Sequence, residues 1–146
     1  VTPAREQEPS AVTHNLPSAL QQFLANANPS VMATTAKDGR PVTAATWYLL
    51  EPDGRILVNL DAERVRLNHL RRDPRFALDV LDGDDWYTHV ALQLEVVEIT
   101  NDVDLTDIDA VSVHYTGHPY ANRDRPRVSV RGTIEKWMGW NAPELE

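Results

Sequence analysis

The sequence predicts a mainly β fold, a β-barrel with a few short helices. Six strand-like stretches rich in β-branched and apolar residues recur along the chain, and most are joined by short Gly-containing turns. Strand follows strand through those turns rather than through crossover helices. That pattern favours an antiparallel barrel or sandwich over a parallel doubly wound sheet. The 146 residues suit one domain with one core, since a chain of this size buries roughly 68–70% of its extended surface on folding.

The elements follow in order. Pro3, Pro9 and the polar residues around them mark 1–15 as a disordered arm, leaving 16–146 as the barrel domain. Leu16, Leu20, Phe23, Leu24 and Ala27 recur at helical spacing, with Pro17 suited to a first turn and Asn28-Pro29 as the stop. Val31 to Ala36 reads as a strand, and Asp38-Gly39 turns it into a second strand, Val42 to Leu50. Pro52-Asp53-Gly54 leads to a third strand, Ile56 to Leu60. Glu63 to Arg72 forms a short helix stopped by Asp73-Pro74. Phe76 to Leu81 and Trp86 to Thr100 are strands around the acidic turn 82–85. Leu105 to Tyr115 is a helix, and Arg127 to Trp137 is the last strand.

Net charge is −8, from 14 Lys+Arg against 22 Asp+Glu. This argues against a general nucleic-acid or membrane-surface binder, because both partners are polyanions. With no cysteine, disulfides, thiolate metal sites and thiol nucleophiles are all absent. No apolar run approaches the 18 or so residues of a membrane span, and residues 1–15 are too polar for a signal peptide, so the expected location is cytoplasmic. The charge is segregated. No Lys or Arg occurs between Phe76 and Asn122, where ten acids fall. Arginines gather at 64, 66, 71, 72 and 75, and again at 123, 125, 127 and 131. Two readings stay open: the clusters pair with the acidic segment, or they build a local anion site.

No glycine-rich phosphate loop and no G-x-S-x-G occurs. His114 and His118 have a metal-like spacing, but Gly117 and Pro119 oppose a continuous helix there, and no metal site is expected. Nothing resembles a self-sufficient nucleophile or base, so an enzyme here would borrow its reactivity from a bound cofactor. Two features suit one. Val42, Thr43, Ala44, Ala45 and Thr46 are small or slender before the bulky Trp47 and Tyr48, which lets a flat ring approach the backbone. The same run also suits tight packing beneath a helix. Arg64 and Arg66 stand at the start of a helix, where guanidinium forks and free N–H groups together would hold a phosphate.

The run Arg64-Val-Arg66-Leu-Asn-His69-Leu70-Arg-Arg-Asp-Pro74-Arg75 resembles the segment after the third strand in the pyridoxamine-phosphate-oxidase-like split β-barrel proteins. More narrowly, it is similar to their actinobacterial branch that uses the deazaflavin coenzyme F420. Met32 to Pro41, Trp86-Tyr87, Tyr115 to Tyr120 and Ile134 to Trp140 agree with it. The resemblance implies a six-stranded antiparallel split barrel that forms a homodimer, with a cofactor groove at the subunit interface and a small-molecule substrate. By position, Arg64 and Arg66 would hold the phosphate and Val42 to Thr46 would line the ring. Leu60, His69 and Leu70 would flank the phosphate end, and Trp86 would sit near the groove, from the partner. The family's frequent Lys is Arg66 here and its frequent Asn is His69. The implied activity is hydride transfer from reduced F420 to a tetrapyrrole, quinone or enone, with Tyr48, His69, His89 or solvent supplying a proton. Flavin mononucleotide (FMN) as cofactor, and a non-catalytic flavin, deazaflavin or haem binder, are the alternatives.

Overall fold

The computed structural model describes residues 16–142 and 145, and the expected arm at 1–15 lies outside the described residues. Helix α1 (Ser18–Leu24) precedes β1 (Ser30–Thr35), β2 (Pro41–Thr46), β3 (Leu49–Leu50) and β4 (Ile56–Asp61). Helix α2 (Val65–Arg72), β5 (Arg75–Leu81), β6 (His89–Asn101), helix α3 (Thr106–Thr116) and β7 (Arg127–Trp140) complete the chain. The strands form one antiparallel sheet in the order β2-β1-β5-β6-β7-β4-β3.

Seven strands stand where six were expected, because the stretch Val42–Leu50 breaks at Trp47-Tyr48. Tyr48 turns fully into the core, where its hydroxyl donates to Leu24 O at 2.7 Å and accepts from Asn28 Nδ2 at 3.1 Å. Burying an apolar body of that size is worth about 1.5–3 kcal/mol, more than the ladder bonds lost at one position. The break closes the barrel. β2 pairs with β1 and β3 with β4, at opposite ends of the strand order. Three residue steps separate Thr46 from Leu49 and span at most about 11 Å, so the sheet must curl until its two ends meet.

The β1–β2 hairpin turns where Asp38-Gly39 was expected to turn it. Gly39 has φ 87°, and Asp38 Oδ1 accepts from Arg40 N at 3.0 Å. The acidic turn between β5 and β6 extends further than expected, to residue 88. Asp85 accepts from Tyr87 N and Thr88 Oγ1, which holds Trp86 and Tyr87 out of the strand. Register shifts at Gln93/Leu94 and Val96/Glu98 bend the long β6–β7 pair around the barrel.

Inside, Met32, Ile56, Val58, Leu78, Val80, Val90, Leu92 and Val130 are fully buried, and α1 adds Leu20 and Leu24. α2 lies on β1 through Leu67, His69 and Leu70. α3 packs on the outer face of β4 and β7, so all six residues of β4 are buried. Asp102 accepts from the Asp107 and Ile108 amides and so caps α3 from upstream. The outer face of β2-β1-β5-β6-β7 carries rows of mostly small side chains, such as Ala45, Val31, Asp79, Ala91 and Met138. Trp86, Tyr87, Met138 and Trp140 are exposed at one end of it. Among the described residues, no helix is long and apolar enough to cross a membrane.

Candidate functional site

A cleft of about 470 Å³ opens where β1, β2, β4, α2 and α3 converge, within the size range of small-molecule sites. Ser30, Ala45 and Thr46 form one wall, and Trp47 stands at its rim. The end of β4 (Asn59, Leu60, Asp61) and the start of α2 (Arg64, Arg66) also line the cleft. Ile108 and Val111 of α3, with Tyr120 and Arg127, complete the lining.

The cleft's charges are set by which carboxylates are already engaged. Asp61 is held by Arg125, with Nη2 to Oδ1 at 3.1 Å and a closer Nε contact, and it also accepts from the Glu63 amide. Those bonds keep its carboxyl down at about 2. Glu63 is also paired with Arg125, at 3.4 Å. No carboxylate among the described residues lies within ion-pair distance of Arg64, Arg66 or Arg127. Among the described residues, Arg66 has only Met32 Sδ, at 3.7 Å, as a side-chain partner. Burial, reinforced by the Arg64 charge, pushes its guanidinium below its ordinary value. A half-buried cation without a counter-charge is costly to keep, and an anion in the cleft would remove that cost.

Arg127 is fixed rather than free. Asn59 Nδ2 donates to Asp102 Oδ2 at 3.1 Å and to Ser129 Oγ at 3.0 Å, which leaves its oxygen for Arg127 Nε at 3.0 Å. Arg127 Nη2 donates to Asn59 O at 3.2 Å, and the guanidinium sits 4.8 Å from the Tyr120 ring centroid. Beside it, Trp47 stacks on Tyr115 at 5.1 Å and meets Tyr120 edge-on at 6.5 Å. Tyr115 donates to Asn28 O at 2.7 Å, and burial pushes its phenol up to about 12.

The cleft brings together five expected site residues, Ala45, Thr46, Leu60, Arg64 and Arg66. Val42, Thr43 and Ala44 continue along β2 away from it. β2 pairs only with β1, so its other edge of peptide groups has no partner strand among the described residues. His69 and Leu70 face the core instead: His69 Nδ1 lies 2.8 Å from Thr34 Oγ1, which ties α2 to β1. Trp86 sits on the 82–88 turn, 74% exposed and off the cleft of its own chain. Of the expected proton donors, Tyr48 and His69 are buried, and burial raises the Tyr48 phenol well above its ordinary value. His89 pairs with Asp79 at 2.8 Å and stacks on Trp140, on the open sheet face. His114 and His118 are separated by the helix end at Gly117, where φ is 82°.

Sequence reasoning missed Asn59, Tyr120 and the part played by Arg127. The only signal was the arginine cluster at 123–131. Three of its four members are neutralised: Arg123 by Asp109, Arg125 by Asp61, and Arg131 by Glu51, Glu98 and Asp107.

Residues 16–141 match the family described as pyridoxamine 5'-phosphate oxidase. The fold is similar to the solved structure of an F420 reductase, with TM-score 0.76 and 19% identity over 84% of this chain and 98% of that one. A conserved hypothetical protein from Mycobacterium tuberculosis is similar at TM-score 0.69 and 26% identity, over 88% of this chain and 86% of that one. General Stress Protein 26 from Bacillus anthracis gives TM-score 0.64 and 12% identity over 84% and 91%. No curated protein matches the chain.

Proposed function

The chain belongs to the pyridoxamine 5'-phosphate oxidase family, and from that membership we propose that it is an F420-dependent reductase acting on a small organic acceptor. The observation that carries the reading is the pair of guanidiniums at Arg64 and Arg66, which no carboxylate offsets. They would hold the cofactor's phosphate, aided by the first turn of α2, which no side chain caps. Leu60 and Thr46 would close around that end, and β2 would offer the flat ring its small side chains and unpaired peptide edge. When bound, the deazaflavin supplies a hydride. The chain itself would position donor and acceptor and exclude water.

The homodimer belongs to this reading. The rows of small residues across β2-β1-β5-β6-β7 make a face that a second copy could cover. Trp86 would then reach the groove of the partner rather than its own.

The purified protein has four tryptophans, one of them at the cleft rim, and titration with F420 or FMN can be followed by their quenching. F420 binding is expected, and Arg66→Glu should weaken it by at least ~2 kcal/mol, because a fork becomes a repelling charge. Tight FMN binding with no response to F420 would overturn the choice of cofactor. A second reading, a non-catalytic carrier, draws on the burial of Tyr48 and His69, which leaves neither on the cleft. Turnover against a panel of acceptors separates the two.

A further inference from the structure

We infer that Arg127 is a second anion subsite, separate from the Arg64–Arg66 pair, and that it selects acceptors carrying a carboxylate on a flat conjugated body. As a statement about the acceptor this rests on the reductase reading; as a statement about carboxylate binding it stands on the cleft alone.

Arg127 opens β7, opposite Asp61 across the β4–β7 ladder, whereas Arg64 and Arg66 stand at the start of α2. It has no ion-pair partner among the described residues, although its three cluster mates are all paired. A guanidinium has five N–H donors. Asn59 takes one from Nε and one from Nη2, and the Tyr120 hydroxyl, 3.4 Å away, takes one from Nη1. One donor therefore remains on each terminal nitrogen, the pair a carboxylate can accept two-to-two.

The side chain is also held in place before any ligand arrives. Asn59 is buried, and its amide is oriented by Asp102 and Ser129, so its oxygen faces Arg127. Little side-chain freedom is left to lose on binding. The neighbouring surfaces define the rest of the ligand. Trp47, backed by its stack on Tyr115, and Tyr120 both line the cleft and offer aromatic surface beside the charge. A planar acid satisfies both at once, and a neutral planar ketone satisfies only one.

The test uses the full chain without cofactor. Calorimetric titration compares trans-cinnamate with trans-cinnamamide, a neutral analogue of the same shape, at fixed ionic strength and with or without excess inorganic phosphate. The acid should bind at least tenfold more tightly than the amide, and phosphate should leave that preference intact. Equal affinity for the two probes, or displacement of cinnamate by phosphate, would overturn the proposal with no variant needed. Arg127→Gln should abolish the preference and Arg66→Gln should keep it; the reverse pattern would place the acid on the arginines at the start of α2 and overturn the proposal. Failure of F420 to bind would break the reductase reading and leave these outcomes unaffected.

Discussion

The two arginine clusters have similar composition and opposite roles. In the 123–131 cluster, three of the four arginines are matched to acids, and Arg127 is the exception. Arg131 alone meets Glu51 at 2.8 Å, Asp107 at 3.2 Å and Glu98 at 3.6 Å. At the start of the 64–75 cluster, Arg64 and Arg66 meet none. The difference lies in geometry rather than in number of charges. Glu63 and Asp61, the two acids just before Arg64 in sequence, are both taken by Arg125 from the other cluster. The 123–131 cluster uses three of its arginines to close the fold, and the start of the 64–75 cluster leaves both of its own available.

Replacing Arg131 should have the largest effect on stability. Its side chain is only 14% exposed, and Arg131→Met would remove the cation that three carboxylates share, leaving Glu51 and Glu98 to Arg55 and Asp107 with no cation among the described residues. A loss of about 2–3 kcal/mol in urea unfolding is expected, somewhat less than for a fully buried pair. No loss would mean that both clusters are surface charge and the contrast fails. A smaller effect belongs to Asp61. Its folded value of about 2 lies below the ordinary value of ~3.9. The stability it contributes is present above that ordinary value and is lost as pH falls through about 2. Asp61→Asn should therefore flatten the acid limb of the stability curve between about pH 4 and pH 2. The smallest effect sharpens the contrast most. Arg66→Gln should change stability by less than ~0.5 kcal/mol, or raise it, because the charge it removes has no partner in the chain. A large destabilisation would make Arg66 a structural residue like Arg131.

The turns and strands were legible because their signals are local. Asp38-Gly39 and Pro52-Asp53-Gly54 set hairpins through the two or three residues they contain. The break at Trp47-Tyr48 was not legible. Both halves of Val42–Leu50 favour strand, and the break comes from Leu24 and Asn28, which hold Tyr48 from more than a helix away in sequence. The site divided in the same way. Arg64 and Arg66 stand out by their place before a helix. Arg127 depends on Asn59, and Asn59 on Asp102, partners 68 and 43 residues apart in sequence. The place of His69 in the resembling motif implies a position flanking the phosphate end, while its contact with Thr34 fixes α2 on β1, a packing role that a motif position does not reveal.

The joint at Trp47-Tyr48 also gives the molecule an uneven tolerance to being cut or relinked. The five strands other than β2 and β3 each have a ladder partner on both sides. Here two consecutive residues are the clasp of a hoop whose ends, β2 and β3, have no hydrogen bonds to each other. A nick or a long insertion at that point would let the hoop spring into a ribbon with two raw strand edges, the form that recruits other chains and aggregates. An opening at the 37–40 hairpin would leave the clasp fastened. A circular permutant cut there should therefore stay closed, while one cut between residues 47 and 48 would lose both the barrel and the rim of its cleft.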